Sequence, residues 1–475
     1  MSICKVCLFL FFFPFLSFAQ LAKSYTPLPI QDTIPAITYT SLSKRLDVDK
    51  SQVAEPQKKV NNYIKYLYEE RFKYVVSNFN DDYIITEGEL TSYLQQILTN
   101  IYKSNPQLSQ ETMVYAFRSS IPNAFSFGDG NLAVTLGLLS RLKNDSQVAF
   151  ILCHEMAHYH RKHGDKQIQA LAKLNYDKEL QKKLEHNNTY SYKKELIKSL
   201  ELSITKHSRT YEFEADSIGL TYFLNTNYDR NAPVECMDIL SKSDKGLDQN
   251  IIDFKKYFDF PDYPIKPSWL TYEKSTTWHK SEKDGEFGDS DTTHTHPNCM
   301  RRQAALKRQL QGKGAVTITS ANDLFQSIVT QSTFEQITSH YHFKKYGKAL
   351  FGSLLLLERY PENAYLHAMV SKCIYQLYTH QKNHEIGKVL EQPDSRFDDN
   401  YDQFLTFFQQ LRLTEIASLG YFYSAGRRQI DASNEDFWHA YWLCSQLPVS
   451  KILPSKVKAE YAATFPKGKY LTNMP

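Results

Sequence analysis

Cysteine is scarce in this sequence, and its placement argues against two classes of protein. Only seven of the 475 residues are cysteines, and Cys4 and Cys7 lie in an apolar N-terminal segment. The other five are widely spaced and odd in number, which argues against a disulfide-stabilised scaffold. None of these five belongs to a Cys-x-x-Cys pair, so a cysteine-ligated zinc site is not expected either.

The chain also lacks an excess of charge of either sign. Its 56 lysines and arginines nearly balance its 52 aspartates and glutamates, and the net charge is +4. This balance gives no reason to expect nucleic acid or an anionic membrane as a partner. Hydrophobic residues make up 42% of the chain and charged residues 23%, which predicts packed domains rather than disorder. The length predicts two or three such domains.

Long apolar runs are absent after the first twenty residues, and the run within them is short. The apolar core from Leu8 to Phe18 has about 11 residues, too few to span a bilayer. Ser17 and Ala19 are small residues at the two positions that a signal peptidase reads. We therefore expect residues 1–19 to be a signal peptide and the protein to be exported, periplasmic or otherwise extracytoplasmic, soluble or peripherally membrane-associated. An uncleaved membrane anchor is the alternative.

Hydrophobic periodicity predicts an α+β fold, mainly helical with a small β-sheet. Helices are expected over residues 57–76 and 87–102, followed by strands at 114–119, 124–127 and 131–135. Asp129-Gly130 between the last two strands is typical of a hairpin turn. The next helix is predicted to begin near Asp145-Ser146 and to end at His163, before Gly164. Another is expected from about Arg209 to Leu224.

Composition divides the rest of the chain into further segments. Residues 20–56 are rich in Pro, Thr, Ser and Asp and are interpreted as a linker or leader, followed by a folded domain over 57–315. Within it, residues 243–295 show little periodicity and are interpreted as a long loop or lid, with a plain insertion as the alternative.

The pattern is helical from residue 320 to 475. Counting a repeat of about 34 residues from Thr330 places Ala349 and Pro361 at the small and helix-ending positions of a tetratricopeptide repeat. The Trp-Leu-Gly part of that repeat is missing. A tetratricopeptide-like domain is therefore predicted for 320–475, with a plain helical bundle as the alternative.

The segment CHEMAHYH, residues 153–160, contains the residues best suited to chemistry. His154 and His158 are four residues apart on a predicted helix, so both imidazoles can reach one metal ion. The carboxylate of Glu155 can reach a water at that ion and accept its proton without being a ligand. His160 lies on a different face and His163 at the helix end, so both are expected to be structural or surface residues.

A zinc site of this type needs a third protein ligand, and known zinc peptidases place it at characteristic spacings from the second histidine. Thermolysin-type spacing puts Asp177 at the ligand position, with Glu179 two residues away, and metzincin spacing does not fit. In SRTYEFEADSIG (208–219), Glu212 and Asp216 lie on one helical face, with Gly219 roughly in line. If small residues let this helix pack closely on the first, Glu212 can ligate the metal and Asp216 can hydrogen-bond a ligating histidine.

Over residues 60–310 the sequence resembles the HtpX/BepA-like gluzincin zinc metallopeptidases, a family that includes the CAAX prenyl protease and OMA-type proteases. The resemblance is carried by HEMAH and SRTYEFEAD, by Asn123-Ala124-Phe125 and Gly137-Leu138-Leu139, and by His296-Pro297 followed by Arg302. The segment before His296 is longer than the family pattern predicts, which leaves the shape of the cleft open.

The resemblance implies a zinc metalloendopeptidase with one Zn²⁺ per chain, held by His154, His158 and Glu212. Glu155 would be the catalytic base and Asp216 an outer partner. Without later membrane spans, the chain resembles the soluble exported branch, in which a tetratricopeptide domain follows the peptidase domain. His296 would then lie near the zinc, to bind the oxyanion or to block the open position. A structural turn at His296 is the alternative.

The resemblance also implies substrate binding and a biological role. Such peptidases bind an extended peptide along a sheet edge, and the candidate edge is the strand Asn131, Leu132, Ala133, Val134 and Thr135. Protein or peptide substrates in envelope quality control are expected, with membrane-protein assembly partners recruited by the C-terminal helices. The alternative is a chaperone or adaptor for outer-membrane protein assembly with little or no proteolysis. Cys153 and Cys299 flank the site and are expected to be free thiols rather than a disulfide.

Overall fold

The computed structural model describes residues 23–30, 33–176, 209–242, 251–274, 299–313, 323–394, 397–427 and 432–474. These residues form two compact units. The unit that we call the sheet unit contains the described residues of 27–242 together with 299–313 and 323–339. The unit that we call the helical unit contains residues 23–26, 251–274 and the described residues from 340 to 474.

Helices make up most of the described chain. In chain order they are α1 (Ala36–Ser51), α2 (Lys58–Asn80), α3 (Glu89–Ser104), α4 (Leu136–Leu139), α5 (Asp145–His160), α6 (His163–Asn175), α7 (the described helical residues 209–224), α8 (Ala232–Leu240), α9 (Phe254–Phe258), α10 (Cys299–Leu310), α11 (Asp323–His342), α12 (Tyr346–Arg359), α13 (Ala364–Lys382), α14 (Asp399–Gln409), α15 (Leu413–Gly426), α16 (Glu435–Ser445) and α17 (Pro454–Thr464). Short 3-10 helices lie at Pro267–Leu270, Ile386–Lys388 and Leu471–Asn473. None of the helices described here is both long and apolar enough to cross a bilayer.

The sheet unit contains a four-stranded sheet made of β1 (Ile84–Ile85), β2 (Met113–Phe117), β3 (Ala124–Ser126) and β4 (Asn131–Thr135). Its strand order is β1-β2-β4-β3. Strand β4 pairs in parallel with β2 and antiparallel with β3, and β1 pairs antiparallel with β2. The predicted β3–β4 hairpin is confirmed, although the positive φ angles fall on Gly128 and Gly130 rather than on Asp129.

The prediction that Asn131–Thr135 forms a sheet edge is wrong. Both sides of β4 are paired, and all five of its residues are buried. Among the strands of the described residues, β3 (Ala124–Ser126) pairs with β4 alone, so β3 is the edge of the sheet at this end. The hairpin signal located the two strands but could not show that β2 would occupy the far side of β4.

Helix α5 passes through the centre of the sheet unit. The side chain of Asn144 caps its first turn by accepting a hydrogen bond from the backbone N–H of Gln147. Residues from Ser146 to Ala157 are buried, and apolar side chains such as Phe150 and Leu152 pack on α3, α7 and α8. A helix that is apolar on every side is stable only inside a core, so the position of α5 is fixed before any metal binds.

Two predicted boundaries in the sheet unit are corrected. Residues 36–51, assigned to a linker from composition, form helix α1, because Leu42 packs into a small apolar cluster with Val75 and Phe79 of α2. The helix predicted to run to His163 ends at His160. Lys162 then adopts a left-handed conformation with φ 53° and ψ 41°, and His163 begins a separate helix, α6.

The described residues of the helical unit contain helices and loops but no β-strand. The C-terminal part of the unit begins at His340 rather than after residue 315, because residues 323–339 belong to the sheet unit. Helix α13 is its central element and packs on α12, α15 and α16. Residues 251–274, assigned to a loop or lid of the first domain, belong to this unit, since Phe254 of α9 stacks on Phe407 at 4.1 Å. The rest of 243–295 lies outside the described residues. The tetratricopeptide assignment stays a prediction.

Candidate metal centre

Helix α5 directs His154, Glu155 and His158 into one cleft. The Nε2 atoms of His154 and His158 lie 3.1 Å apart, because residues four apart project from the same side of a helix. Glu155 is 7% exposed, and one of its carboxylate oxygens lies 4.0 Å from His154 Nε2. The two imidazoles therefore converge on one point, with a carboxylate beside them.

Helix α7 supplies the third donor. The carboxylate oxygens of Glu212 lie 3.6 Å from His154 Nε2 and 3.4 Å from His158 Nε2. This approach depends on Gly219, where a Cβ atom would lie 2.9 Å from the backbone N and Cα of His154. The expectation that a small residue lets α7 pack closely on α5 is therefore confirmed.

The three donors fit a zinc ion. Their ligand atoms, two imidazole nitrogens and one carboxylate oxygen, lie within 4.8 Å of one another. Two histidines and one glutamate leave a fourth position of a tetrahedral site for water or substrate. The donors face a cleft of about 240 Å³, which is also lined by Glu155 and by the strand residues Ala124–Ser126. The set predicted from the sequence is thus brought together by two helices.

Asp216 and Arg302 support the site from outside the ligand set. An oxygen of Asp216 lies 3.0 Å from Nδ1 of His154, the nitrogen that faces away from the other ligands. Arg302 of α10 donates hydrogen bonds of 2.7 and 2.8 Å to both oxygens of Asp216, and its third nitrogen lies 2.8 Å from Glu212. Such an outer partner fixes which nitrogen of a ligating histidine carries the proton.

Arg302 is the residue whose role the sequence interpretation missed. It is 1% exposed, so its charge is taken out of water and is balanced by the two carboxylates. The only available signal was its position after His296-Pro297 in the family pattern. The contact itself could not be deduced, because nearly ninety residues separate Arg302 from Asp216 along the chain.

The pKa values of the metal-free site follow from these contacts. Burial alone would lower the pKa of His154, but hydrogen bonds and charges from Asp216 and Glu212 outweigh it and raise the value to about 10. Burial raises the pKa of Glu212, yet His154, His158 and Arg302 hold it well below its usual range. The pKa of Asp216 is likewise lowered against burial, chiefly by Arg302. Both carboxylates are therefore ionised at neutral pH.

His163, expected to be a structural or surface residue, is buried beside this centre. It is 2% exposed, and its Nδ1 lies 3.0 Å from Nδ1 of His158. His160 contacts the hydroxyl of Tyr222 at 3.3 Å instead and does not belong to the ligand cluster of the described residues.

Other predicted residues are placed elsewhere or lie outside the described chain. His296, Asp177 and Glu179 are outside the described residues. Strand β3 lines the cleft, whereas the residues Asn131–Thr135 of β4 do not. The side chain of Asn131 donates a hydrogen bond to Asp129. The cysteines of the described residues are all free and buried, including Cys153 and Cys299.

A buried His-Glu-x-x-His helix, completed by a glutamate from a second helix beside a small sheet, is the architecture of a metallopeptidase domain. Residues 88–310 match the family model described as Peptidase family M48. The mitochondrial metalloendopeptidase OMA1 of Schizosaccharomyces pombe is 26% identical to this chain over 180 residues, which are 36% of this chain and 50% of that relative.

The chain thus spans about half the length of the curated relative that it matches. Together these similarities support a metallopeptidase domain of the M48 type over residues 88–310. The matches support the metallopeptidase interpretation for this part of the chain, and the rest of that interpretation stays a prediction.

Proposed function

We propose that this protein is an exported zinc endopeptidase that hydrolyses peptide bonds with His154, His158 and Glu212 as metal ligands and Glu155 as the base. One observation carries the proposal: the three donors and the Glu155 carboxylate share a single cleft, within 4.8 Å for the donors and 4.0 Å from His154 to Glu155. A metal site without catalysis needs no carboxylate at that position.

The residues of the cleft divide the chemistry among them. Zinc, when bound, lowers the pKa of a water molecule and polarises the substrate carbonyl. Glu155 is positioned to accept the proton of the attacking water and to donate it to the leaving amine. Asp216, held by Arg302 on both of its oxygens, keeps His154 oriented with Nε2 toward Glu212. The low exposure of these groups strengthens each charge interaction.

The substrate is proposed to extend along β3. In an antiparallel pair, alternate residues turn their N–H and C=O groups toward the partner strand. The N–H of Phe127 donates to Asn131 of β4, so Ser126 and Ala124, one and three residues earlier, turn their backbone groups away from β4. These groups can bind an extended peptide through its main chain, with little preference for sequence.

The cleft has room for such a chain. A second cavity of about 500 Å³ adjoins the first, since Gly128, Tyr159 and Lys162 line both. An exported enzyme with a main-chain binding mode suits the removal of damaged envelope proteins, and we propose that role. The helical unit would recruit substrates or membrane-protein assembly partners. A chaperone or adaptor for outer-membrane proteins, with little cleavage, is the competing function.

The proposal is tested with the Glu155→Gln variant. Zinc content should stay at one per chain, while casein cleavage should fall by about 10²- to 10⁴-fold, because only the proton acceptor is lost. Glu362→Gln, an exposed glutamate of the helical unit, is the matched control and should keep full activity. Unchanged cleavage by a zinc-loaded Glu155→Gln protein would refute the mechanism.

The competing function and the location need separate measurements. If wild type binds an unfolded outer-membrane protein without cleaving it, and Glu155→Gln binds it equally well, the chaperone function is favoured. Export is tested by cell fractionation together with the N-terminal mass of the mature protein, which should begin at Gln20. A mature protein that retains residues 1–19 would contradict cleavage.

A further inference from the structure

The two metal-ligating histidines have different partners on their outer nitrogens. Nδ1 of His154 faces the carboxylate of Asp216, whereas Nδ1 of His158 faces another imidazole, that of His163, at 3.0 Å. Nε2 of His163 in turn lies 3.2 Å from an oxygen of Glu214. A chain of contacts therefore runs from the metal-facing nitrogen of His158 to Glu214.

The protons of this chain can be assigned from its two ends. Nε2 of His158 faces Glu212 and must be unprotonated to bind a metal, so the proton of neutral His158 is on Nδ1. That N–H can donate only if Nδ1 of His163 accepts, which places the His163 proton on Nε2. The Nε2–H then donates to the carboxylate of Glu214, an acceptor without a proton of its own. Every contact has one donor and one acceptor.

The surroundings hold His163 in this orientation. Its ring stacks on Tyr211 of α7, with the ring centroids 4.4 Å apart and the planes 16° apart. The left-handed conformation of Lys162 turns the chain between α5 and α6, so that His163 faces back toward the helix it follows. Arg161 binds the same carboxylate of Glu214 at 2.5 Å. Ring plane, ring position and acceptor are thus each fixed by a separate contact.

We propose that His163 is a positioning residue for the metal centre, which selects the metal-binding tautomer of His158, and that Glu214 selects the tautomer of His163. The inference rests on the proposed metal site and deepens it, because helix α7 then serves both histidines. It supplies Asp216 to orient His154, and Tyr211 and Glu214 to orient His158 through His163. Glu212, on the same helix, is the ligand between them.

The test compares zinc affinity in four variants, measured by competition with a chromophoric chelator. His163→Leu removes the acceptor and should weaken zinc binding by about 10- to 100-fold. His163→Asn retains an acceptor oxygen near the Nδ1 position and should recover most of the affinity. Glu214→Leu should give an intermediate loss, because its side chain is already partly exposed. His160→Leu is the matched control and should bind as wild type does.

A purely structural role for His163 predicts a different pattern, so two further readouts are included. The absorption spectrum of the cobalt-substituted protein reports ligand geometry, and it should change in His163→Leu and be restored in His163→Asn. Unfolding of the metal-free proteins by urea shows whether the fold is intact. If His163→Leu is less stable but binds zinc within twofold of wild type, the proposal is overturned.

The outcomes also separate this inference from the proposed function. A wild-type protein that binds no zinc refutes the metal site itself, and the inference with it. A wild-type protein that binds one zinc, together with unchanged affinity in His163→Leu, refutes only the role of His163. If His163→Leu does not fold, the comparison of His163→Asn with Glu214→Leu decides: equal wild-type affinity and an unchanged cobalt spectrum in both variants overturn the proposal.

Discussion

At the scale of single residues, Arg302 connects the two acidic residues that define the metal centre. Its guanidinium binds both oxygens of Asp216 and one of Glu212; Arg302 and Asp216 are buried, and Glu212 is half-buried. A buried carboxylate that loses its partner keeps the cost of desolvation without the attraction that offset it. The stability of the centre should therefore depend on this arginine even without metal.

Arg302→Leu should lower the free energy of unfolding of the metal-free protein by about 3 kcal/mol, because Asp216 is left with His154 alone. Urea denaturation in the presence of chelator measures the change. Arg301→Leu, which replaces the exposed neighbour, is the control and should leave the midpoint within error. Equal midpoints for the two variants would show that the buried pair contributes no net stability.

Zinc uptake should release a proton from His154. With a pKa of about 10 in the metal-free site, this imidazole is protonated at neutral pH, and zinc requires it neutral. The apparent zinc affinity should therefore rise about tenfold per pH unit between about 7 and 10. Calorimetry at pH 7.5 in buffers of different ionisation enthalpy should give about one proton per zinc, whereas zero protons would contradict the raised pKa.

The raised pKa of His154 also determines how the stability of the metal-free protein changes with pH. A histidine whose pKa is raised on folding stabilises the folded state below its ordinary value of 6.5, and this contribution is lost as the pH rises through about 10. Alkaline solutions should therefore destabilise the metal-free protein and favour the zinc-bound one.

At the scale of elements, the distance between α5 and α7 decides whether the ligands meet. Gly219 permits the close approach, and Glu212 lies about two turns earlier on the same helix. Because the atoms that a Cβ would meet are backbone atoms of α5, the neighbours cannot rotate away. The two helices must then separate or shift.

Gly219→Ala should destabilise the protein by about 1–3 kcal/mol, since overpacking exceeds the gain in helix propensity. Zinc affinity should fall with it, as Glu212 moves away from the histidines. Gly426→Ala is the matched control, because a Cβ there has nothing within 4 Å. Chemical denaturation measures the stability and chelator competition measures the zinc affinity. If both values are unchanged in Gly219→Ala, the two helices tolerate a wider separation.

The edge strand β3 offers a second test at this scale. Ser126→Pro removes a backbone N–H that is turned away from β4, so the sheet keeps its pairing while the substrate loses one hydrogen bond. KM for an unstructured protein substrate should rise several-fold, in line with about 1 kcal/mol for one hydrogen bond. Ser126→Ala retains the N–H and should keep the wild-type KM. Equal KM values for both variants would exclude β3 as the binding strand.

At the scale of the whole molecule, the described metal ligands all belong to the sheet unit. A ligand that binds only the folded state stabilises the structure that holds it. Chelation should therefore increase hydrogen exchange in α5 and α7 and leave α13 of the helical unit unchanged. Mass spectrometry of peptides from these three helices measures the effect, and an equal increase in α13 would show that the two units open together.

The assignment of chain segments to the two units also depends on the whole molecule. Residues 251–274 lie between segments of the sheet unit in sequence, yet Tyr257 donates a 2.5 Å hydrogen bond to Glu358 within the helical unit. Composition marked this segment as irregular, which is correct for most of its residues. Nothing in its local pattern specifies on which core its aromatic side chains will pack, because that choice depends on distant surfaces.

Those parts of the protein that depend on local spacing could be predicted from the sequence. The 3.6-residue period of a helix places His154 beside His158, and Glu212 on the same side as Asp216, before any tertiary contact is known. Turn residues likewise located the β3–β4 hairpin. Tertiary structure alone decided that β3 and not β4 is the edge, that Arg302 binds Asp216, and that His163 faces His158. Each of these depends on pairing or side-chain reach between segments, a property that no single segment carries.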